Sequence, residues 1–389
     1  MQNPKRLLRV LFAGLVLGVA VVYVALNARN QWDFNIYYSA ATAFRGGLDP
    51  YNPVVLAELA GMPVNLPYLY PPISLLLFVP FSYLPIELAC LVWLGIKCLL
   101  AVILLRIWWL KFLPRVPPDI FLVTALLAFD LALLWDMRSG NVALIEEALL
   151  WFGLLAYIRG RFVAAAVLIA LGSVFKLYPI ALLLLLLVPP PIGRVRAIAT
   201  VAGFALFCAL VAAPLVPLAS WVHALVHELA RERLTADISP GALGLFDWTL
   251  ARQPWSTAWV APGLFVLYGV LFLVLSRGAL YEAYRSASRL DMVITATLAG
   301  FLLSPRVMIY TYASAVVPVL FVFHTKIRSR KLRVAATILL IAPGIIRLIP
   351  GKALPGTGAA SFAFVLLAWA LWAHRAGPPP LPVLEHRAK

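Results

Sequence analysis

Long apolar runs, separated by short clusters of basic and turn-forming residues, set the rhythm of this chain. Runs near 7–27, 86–108, 119–137, 141–158, 162–175, 178–190, 197–219, 258–276, 290–304, 310–324, 334–349 and 359–374 read as twelve apolar helices, against the roughly 20 residues that a helix needs to cross a bilayer. The loops between them alternate in charge. One set receives Lys111 and Arg115, Arg159 and Arg161, Arg194 and Arg196, Arg277 through Arg289, and the cluster Lys326, Arg328, Arg330, Lys331 and Arg333. Cytoplasmic loops attract this excess of Lys and Arg. The pattern therefore predicts an all-α polytopic membrane protein, a bundle of about twelve transmembrane helices with both termini on the cytoplasmic side. It forms one membrane domain over 1–375, with outer loops at 28–85 and 220–257 and a polar cytoplasmic tail at 376–389.

Four segments depart from simple crossing. Tyr70 to Leu84 is short and opens with Pro71-Pro72, and a crossing there would invert every later loop and put most basic clusters outside. It reads as an interfacial or half-inserted helix on the outer face. Runs 162–175 and 178–190 are also short and meet at Lys176-Leu177-Tyr178-Pro179. A charged, Pro-containing break of this kind belongs beside a protein-walled or wet cavity, because lipid cannot satisfy the freed backbone groups. Trp221 to Leu234 reads as an amphipathic helix lying on the surface. At the start, Lys5, Arg6 and Arg9 precede an apolar run in the manner of a secretory signal, but Val10 to Leu26 is longer than a signal core and reads as an uncleaved first span.

Composition sharpens this picture. Hydrophobic residues make up 63% of the 389 and charged residues 12%, and the mean hydropathy is +0.94, far from the composition of a soluble domain. The net charge of +16 is spent on topology, so nucleic acid is excluded as a partner. Cys90, Cys98 and Cys208 lie inside apolar runs without ligand spacing and read as packing residues. There is no phosphate-binding glycine loop, no H-E-x-x-H and no G-x-S-x-G, so nucleotide-driven transport and the common membrane proteases lose support.

The chemistry gathers around the loop after the first span, Trp32-Asp33-Phe34-Asn35-Ile36-Tyr37-Tyr38. On this topology the outer face collects Asp33, Asp49, Asp136, Arg138, Asn141, Lys176, Arg306 and Tyr310, and ionisable groups at membrane depth mark a site or pathway. Asp33 sits among aromatics that desolvate it toward a useful general base; the alternative is a cap on a helix beginning at Phe34. Asp49, in Leu48-Asp49-Pro50-Tyr51, fits a turn better than catalysis. Lys176 offers a point charge for a phosphate or snorkels to the interface. Arg306, in Ser304-Pro305-Arg306, either clamps a phosphate or anchors a helix end. Glu146 and Glu147 with Lys97 suggest an intramembrane Glu–Lys contact. His223, His227 and Glu228 have metal-compatible spacing but no further ligand, and favour a polar helix face. No metal site or other cofactor is called for, and nothing in the sequence speaks against a divalent cation.

The ordered set Asp33-Phe34-Asn35-Ile36-Tyr37, Gly47-Leu48-Asp49-Pro50-Tyr51, Tyr70-Pro71-Pro72, Gly140-Asn141-Val142, Lys176-Leu177-Tyr178-Pro179 and Ser304-Pro305 resembles the polyprenyl-phosphate-mannose-dependent glycosyltransferases of family 87, within the GT-C membrane superfamily. The resemblance spans roughly 30 to 320. It implies interfacial helices in the first outer loop, a polyprenyl-phosphate sugar donor and inversion at the anomeric carbon. It also implies Asp33 as the base that deprotonates the acceptor hydroxyl, with Lys176 near the donor phosphate. Two departures stand out: Gly140-Asn141 where many members have Gly-Gln, and Arg306-Val307-Met308-Ile309-Tyr310 where many have Trp and adjacent histidines. The expectation is therefore hexosyl transfer, mannose first, to a lipid-linked glycan or other envelope acceptor among the membrane lipids. Tyr37, Asp49, Asn141, Tyr310 and Arg138 are further candidate pocket residues. The rival expectation is a transporter or flippase using Glu146, Glu147 and Lys97.

Overall fold

The computed structural model describes residues 4–61, 67–176, 178–188, 192–231, 241–250, 253, 259–285, 288–349 and 356–374. The tail 376–389 and much of 220–257 lie outside the described residues. Among the described residues every regular element is a helix, with no strand. Helices α1 (Pro4–Leu26), α2 (Trp32–Arg45) and α3 (Pro53–Ala60) are followed by a run of short pieces: the 3-10 turn Pro72–Ser74, α4 (Leu75–Phe78) and the 3-10 turn Val79–Tyr83. Next come α5 (Ile86–Ile107), α6 (Pro118–Ser139), α7 (Ala143–Ile158), α8 (Phe162–Ser173), the 3-10 segment Tyr178–Leu187 and α9 (Arg194–Val211). The remainder comprises α10 (Leu218–Arg231), α11 (Ala242–Leu250), α12 (Val260–Arg285), α13 (Arg289–Leu303), the 3-10 segment Ile309–Ala315, α14 (Val316–Lys326), α15 (Arg330–Arg347) and α16 (Thr357–Ala373).

Each of the twelve apolar runs thus carries helix, yet helices and crossings are different counts. Five segments are long and apolar enough to cross on their own: Leu7–Leu26, Ile86–Phe112, Pro118–Ser139, Arg194–Val211 and Val260–Arg285. Pro72–Tyr83, Phe162–Ser173, Tyr178–Leu187 and Thr357–Ala373 are apolar but shorter. Two solvents are evident in the packing. Leu8, Leu11, Val102, Val201, Val266 and Leu275 are large apolar side chains left exposed on helix faces, as lipid contact requires. The side chains of α6, α7 and α13 are instead mostly buried, and α6 packs against α1, α15, α16 and the segment Ile309–Ala315.

The expected continuous span 119–137 is broken in its middle. Phe129, Asp130 and Leu131 take left-handed φ values of 53, 58 and 64°, a conformation that costs about 1 kcal/mol or more per non-glycine residue. The reason lies in Asp130, a carboxylate only 2% exposed in the bundle centre. An unpaired buried carboxylate costs several kcal/mol, and the break lets this one find partners. Arg347 Nε donates to Oδ1 at 2.7 Å, Arg347 NH2 lies 2.6 Å from Oδ2, and Thr357 Oγ1 donates to Oδ2 at 2.9 Å. Helix α15 reaches the break through Gly344, where a Cβ would collide with the Leu127 carbonyl oxygen.

Buried charges elsewhere also pair, although not as expected. Lys97 meets neither Glu146 nor Glu147 directly; its Nζ lies 2.8 Å from Asp136 Oδ2. Glu146 Oε2 is instead 2.9 Å from Lys176 Nζ. Asp136 and Lys176 lie at helix ends, where sequence spacing alone does not reveal which interior charge they face.

Candidate active site

The site forms at the end of the bundle where α5 begins, α6 ends and α7 starts. An aromatic cluster seats α2 there: Phe34 stacks on Trp93 of α5 with centroids 5.2 Å apart and meets Phe81 edge-on at 5.6 Å. Tyr37 packs against Phe78 at 4.8 Å. Such pairs add about 0.5–1.5 kcal/mol each beyond their burial. The α6–α7 turn must approach α2 closely, and Gly140 makes that approach feasible. Its φ is +71°, and a Cβ would lie 2.7 Å from Phe34 Cβ and 2.8 Å from Gln31 Cβ.

Helix α2 starts at Trp32, so Asp33 lies in its first turn rather than in the cap position, which Gln31 holds. The Asp33 carboxylate turns to the facing loop, where Asn141 Nδ2 donates to Oδ2 at 2.9 Å. The same amide nitrogen donates to the Tyr37 hydroxyl at 2.9 Å, and Asn141 Oδ1 accepts from the Ala143 amide at 2.9 Å. That last bond fixes which end of the amide faces the acid. Tyr37 and Tyr70 hydroxyls are 3.2 Å apart.

Desolvation pushes the Asp33 pKa up from 3.8 to about 6, while the Asn141 amide, Ser139 and the Lys97 charge pull the other way and the Asp136 charge adds a further lift. Burial also raises the Tyr37 hydroxyl well above its usual range, with nearby Tyr70 and Asp33 contributing. Asp33 thus ionises near neutrality while Tyr37 stays protonated, which is the division of labour that suits a proton acceptor beside a hydrogen-bonding group.

Asp33, Tyr37, Tyr70, Asn141, Lys176, Arg306 and Tyr310 line one cavity of about 510 Å³, within the range of small-ligand sites. Five or more separate segments contribute to it. At the basic side, Lys176 Nζ donates to Thr311 Oγ1 at 2.8 Å, pairs with Glu146 and sits 5.0 Å from the Tyr310 ring centroid. Ser304 Oγ donates to the Arg306 carbonyl at 3.0 Å, tightening the turn that carries Arg306. The remaining wall is largely apolar, with Ile36, Leu69, Val174, Phe175, Trp221 and Leu225. Trp221 and Leu225 come from α10, tied to the first loop by Trp221 Nε1 donating to the Leu69 carbonyl at 2.8 Å.

Of the expected outer-face groups, Asp136 pairs with Lys97 instead, and two of the expected pocket residues also stand apart from the cavity. Asp49 Oδ1 accepts from the Tyr51 amide at 2.9 Å, and Tyr51 OH donates to the Tyr70 carbonyl at 2.9 Å. Asp49 therefore shapes the turn that holds the loop, as its sequence favoured. Arg138 lies among Trp135, Trp32 and Tyr23, 5.3, 5.5 and 5.8 Å from their ring centroids, with NH1 donating to Tyr23 OH at 3.2 Å. Sequence reasoning quoted Tyr70-Pro71-Pro72 without naming Tyr70 as a pocket residue, and it missed Thr311 and the α10 wall. Only the strong amphipathicity of α10, with a tryptophan at its interface, hinted at the last. His223 and His227 stack at 6.2 Å between centroids, and among the described residues no group of three or more His, Cys, Asp or Glu could hold a metal ion.

No curated protein and no solved structure matches the chain. The model of one family does, over residues 68–305. That region supplies Tyr70, Asn141, Lys176 and Ser304 to the cavity and ends beside Arg306, while Asp33 and Tyr37 precede it and join through the fold. With more than half its length matched, the chain belongs to glycosyltransferase family 87.

Proposed function

We propose that this glycosyltransferase moves a hexose, mannose first, from a polyprenyl-phosphate sugar to a hydroxyl of a lipid-linked glycan or other envelope acceptor. The carrying observation is the cavity itself, with a carboxylate ionising at about 6 and two basic side chains on a shared, mostly apolar wall. A phosphate-linked sugar already holds its leaving group, so the chemistry needs one base and stabilisation of phosphate charge. Asp33 takes the acceptor hydroxyl proton as the oxygen attacks the anomeric carbon. The bond from that carbon to the phosphate oxygen breaks, and polyprenyl phosphate leaves with the electron pair beside Lys176 and Arg306. One displacement inverts the configuration. Tyr37, Tyr70 and Asn141 are placed to hold hydroxyls of sugar or acceptor. The apolar wall suits the first prenyl units of the donor.

The basic loops favour a topology with this cavity on the outer side of the cell membrane and with twelve crossings, the shorter ones shielded by neighbours. The transporter reading weakens because two of its three charges are tied: Lys97 to Asp136 and Glu146 to Lys176. Purified protein incubated with labelled polyprenyl-phosphate hexoses and a membrane lipid extract tests the proposal. A labelled glycolipid of inverted anomeric configuration is expected. Absence of transfer from every polyprenyl-phosphate hexose, with transfer from a nucleotide sugar, overturns it.

A further inference from the structure

Helix α5 supplies one charged side chain to the bundle interior next to the site, Lys97, which is 0% exposed. Its hydrogen bonds and ion pair go to the last turn of α6 and the turn into α7. Nζ donates to the Asp136 carbonyl, donates to the Asn141 carbonyl at 2.7 Å and pairs with Asp136 Oδ2 at 2.8 Å. One turn earlier on the same helix, Trp93 Nε1 donates to the Gly140 carbonyl at 2.8 Å. Three turn carbonyls, at 136, 140 and 141, are thereby held from one side by α5. The side-chain amide of Asn141, in the same turn, donates to Asp33 and Tyr37.

Snorkelling, the bland fate of an intramembrane lysine, is ruled out by its complete burial. Packing alone also falls short as an explanation, since an apolar side chain would fill the space without desolvating a charge. What the ammonium does that a methylene chain does not is bind two carbonyls and one carboxylate at once, which over-determines the backbone that aims Asn141. We propose that Lys97 is a positioning residue for the transfer reaction: it locks the α6–α7 turn so that the Asn141 amide holds Asp33 in its reactive orientation. The proposal rests on the assignment of Asp33 as the base.

The charge of Lys97 also reaches Asp33 through space and favours its ionised form, opposed by Asp136. The other titratable groups on the cavity that Asp33 lines are Tyr37, Tyr70 and Tyr310, from α2, the first loop and the Ile309–Ala315 segment, with the charges of Lys176 and Arg306 on its basic side. Burial keeps the Tyr37 and Tyr70 hydroxyls protonated, so a change at Lys97 reads out in the acid limb of the activity profile.

The test compares Lys97→Met, the double variant Lys97→Met/Asp136→Asn, Asp33→Asn and the parent, using labelled polyprenyl-phosphate hexose as probe. Lys97→Met leaves Asp136 without its counter-ion, and the double variant removes both charges to keep the bundle neutral. In Lys97→Met, kcat should fall about 100-fold, the scale of an ångström of misplacement, with donor KM unchanged and the acid limb moved to higher pH. In the double variant the limb should return toward the parent while kcat stays low, separating aim from charge. Parental kcat in either variant overturns the proposal. So does failure of both to yield folded, monodisperse protein, which would make Lys97 structural only. Activity retained by Asp33→Asn would instead overturn the base assignment, a result distinguishable from any of these.

Discussion

Asp33→Asn should make the protein more stable at neutral pH while silencing it. The carboxylate is partly buried and ionises at about 6 instead of 3.8, so the folded chain carries a penalty for its charge. At about 1.4 kcal/mol per pH unit the full lift is about 3 kcal/mol, and water in the cavity onto which Asp33 opens screens this to about 2 kcal/mol. The sign follows from proton binding. Between pH 4 and 6 the folded state keeps the Asp33 proton and the unfolded state loses it, so stability falls as pH rises through this window and stays low above it. An amide of the same shape has no charge to bury and can still accept from Asn141. Thermal unfolding in detergent should show the Asn variant about 2–3 °C higher at pH 7.5, scaled by the unfolding entropy of a chain this size, with the difference vanishing toward pH 4. A variant less stable at pH 7.5, or a difference independent of pH, would refute the reasoning.

Other predictions come from the same contacts. Gly140→Ala should lower activity at least about 10-fold and destabilise by about 2 kcal/mol, because it combines a left-handed φ with a 2.7 Å approach to Phe34; turnover and melting temperature report the two effects. Arg347→Met strands the Asp130 carboxylate in the core and should cost about 3–5 kcal/mol, visible as loss of detergent-stable protein that Asp130→Asn partly restores. Lys176→Met combined with Glu146→Gln, which avoids a stranded glutamate, should reduce kcat/KM for the donor about 100-fold by removing the proposed phosphate contact. A change below fivefold in steady-state transfer assays would take Lys176 out of the phosphate site.

Much of this architecture is legible in hydrophobic rhythm, because lipid contact demands apolar runs that register without any knowledge of the fold. The break at Lys176 is legible for the same reason: a charge and a proline interrupt two short runs in a way that only a cavity wall tolerates. The site residues came into view as polar exceptions in an apolar text, and five of the eight expected outer-face groups, Asp33, Asn141, Lys176, Arg306 and Tyr310, share one cavity. What stays hidden is pairing. Asp130 sits in Leu-Ala-Phe-Asp-Leu-Ala with nothing nearby to mark it, since its partners lie 217 and 227 residues onward. Lys97 invited pairing with the glutamates of α7, yet the fold sets it against Asp136, 39 residues away. The helix-end position of Arg138 points to the site, but its aromatic neighbours Trp32 and Trp135 hold it aside. Period and composition describe faces of helices; which face meets which is a property of the packed bundle.

The central claim, that Asp33 accepts the acceptor proton in the cavity beneath α10, is tested most directly by one comparison. Parent and Asp33→Asn proteins, matched for folded content, are incubated with labelled polyprenyl-phosphate hexose and the acceptor lipid extract, and initial transfer rates are measured at pH 7.5. Loss of at least about 1000-fold is expected, the upper part of the range for removing a general base, with donor binding retained. Turnover within a few-fold of the parent would contradict the account.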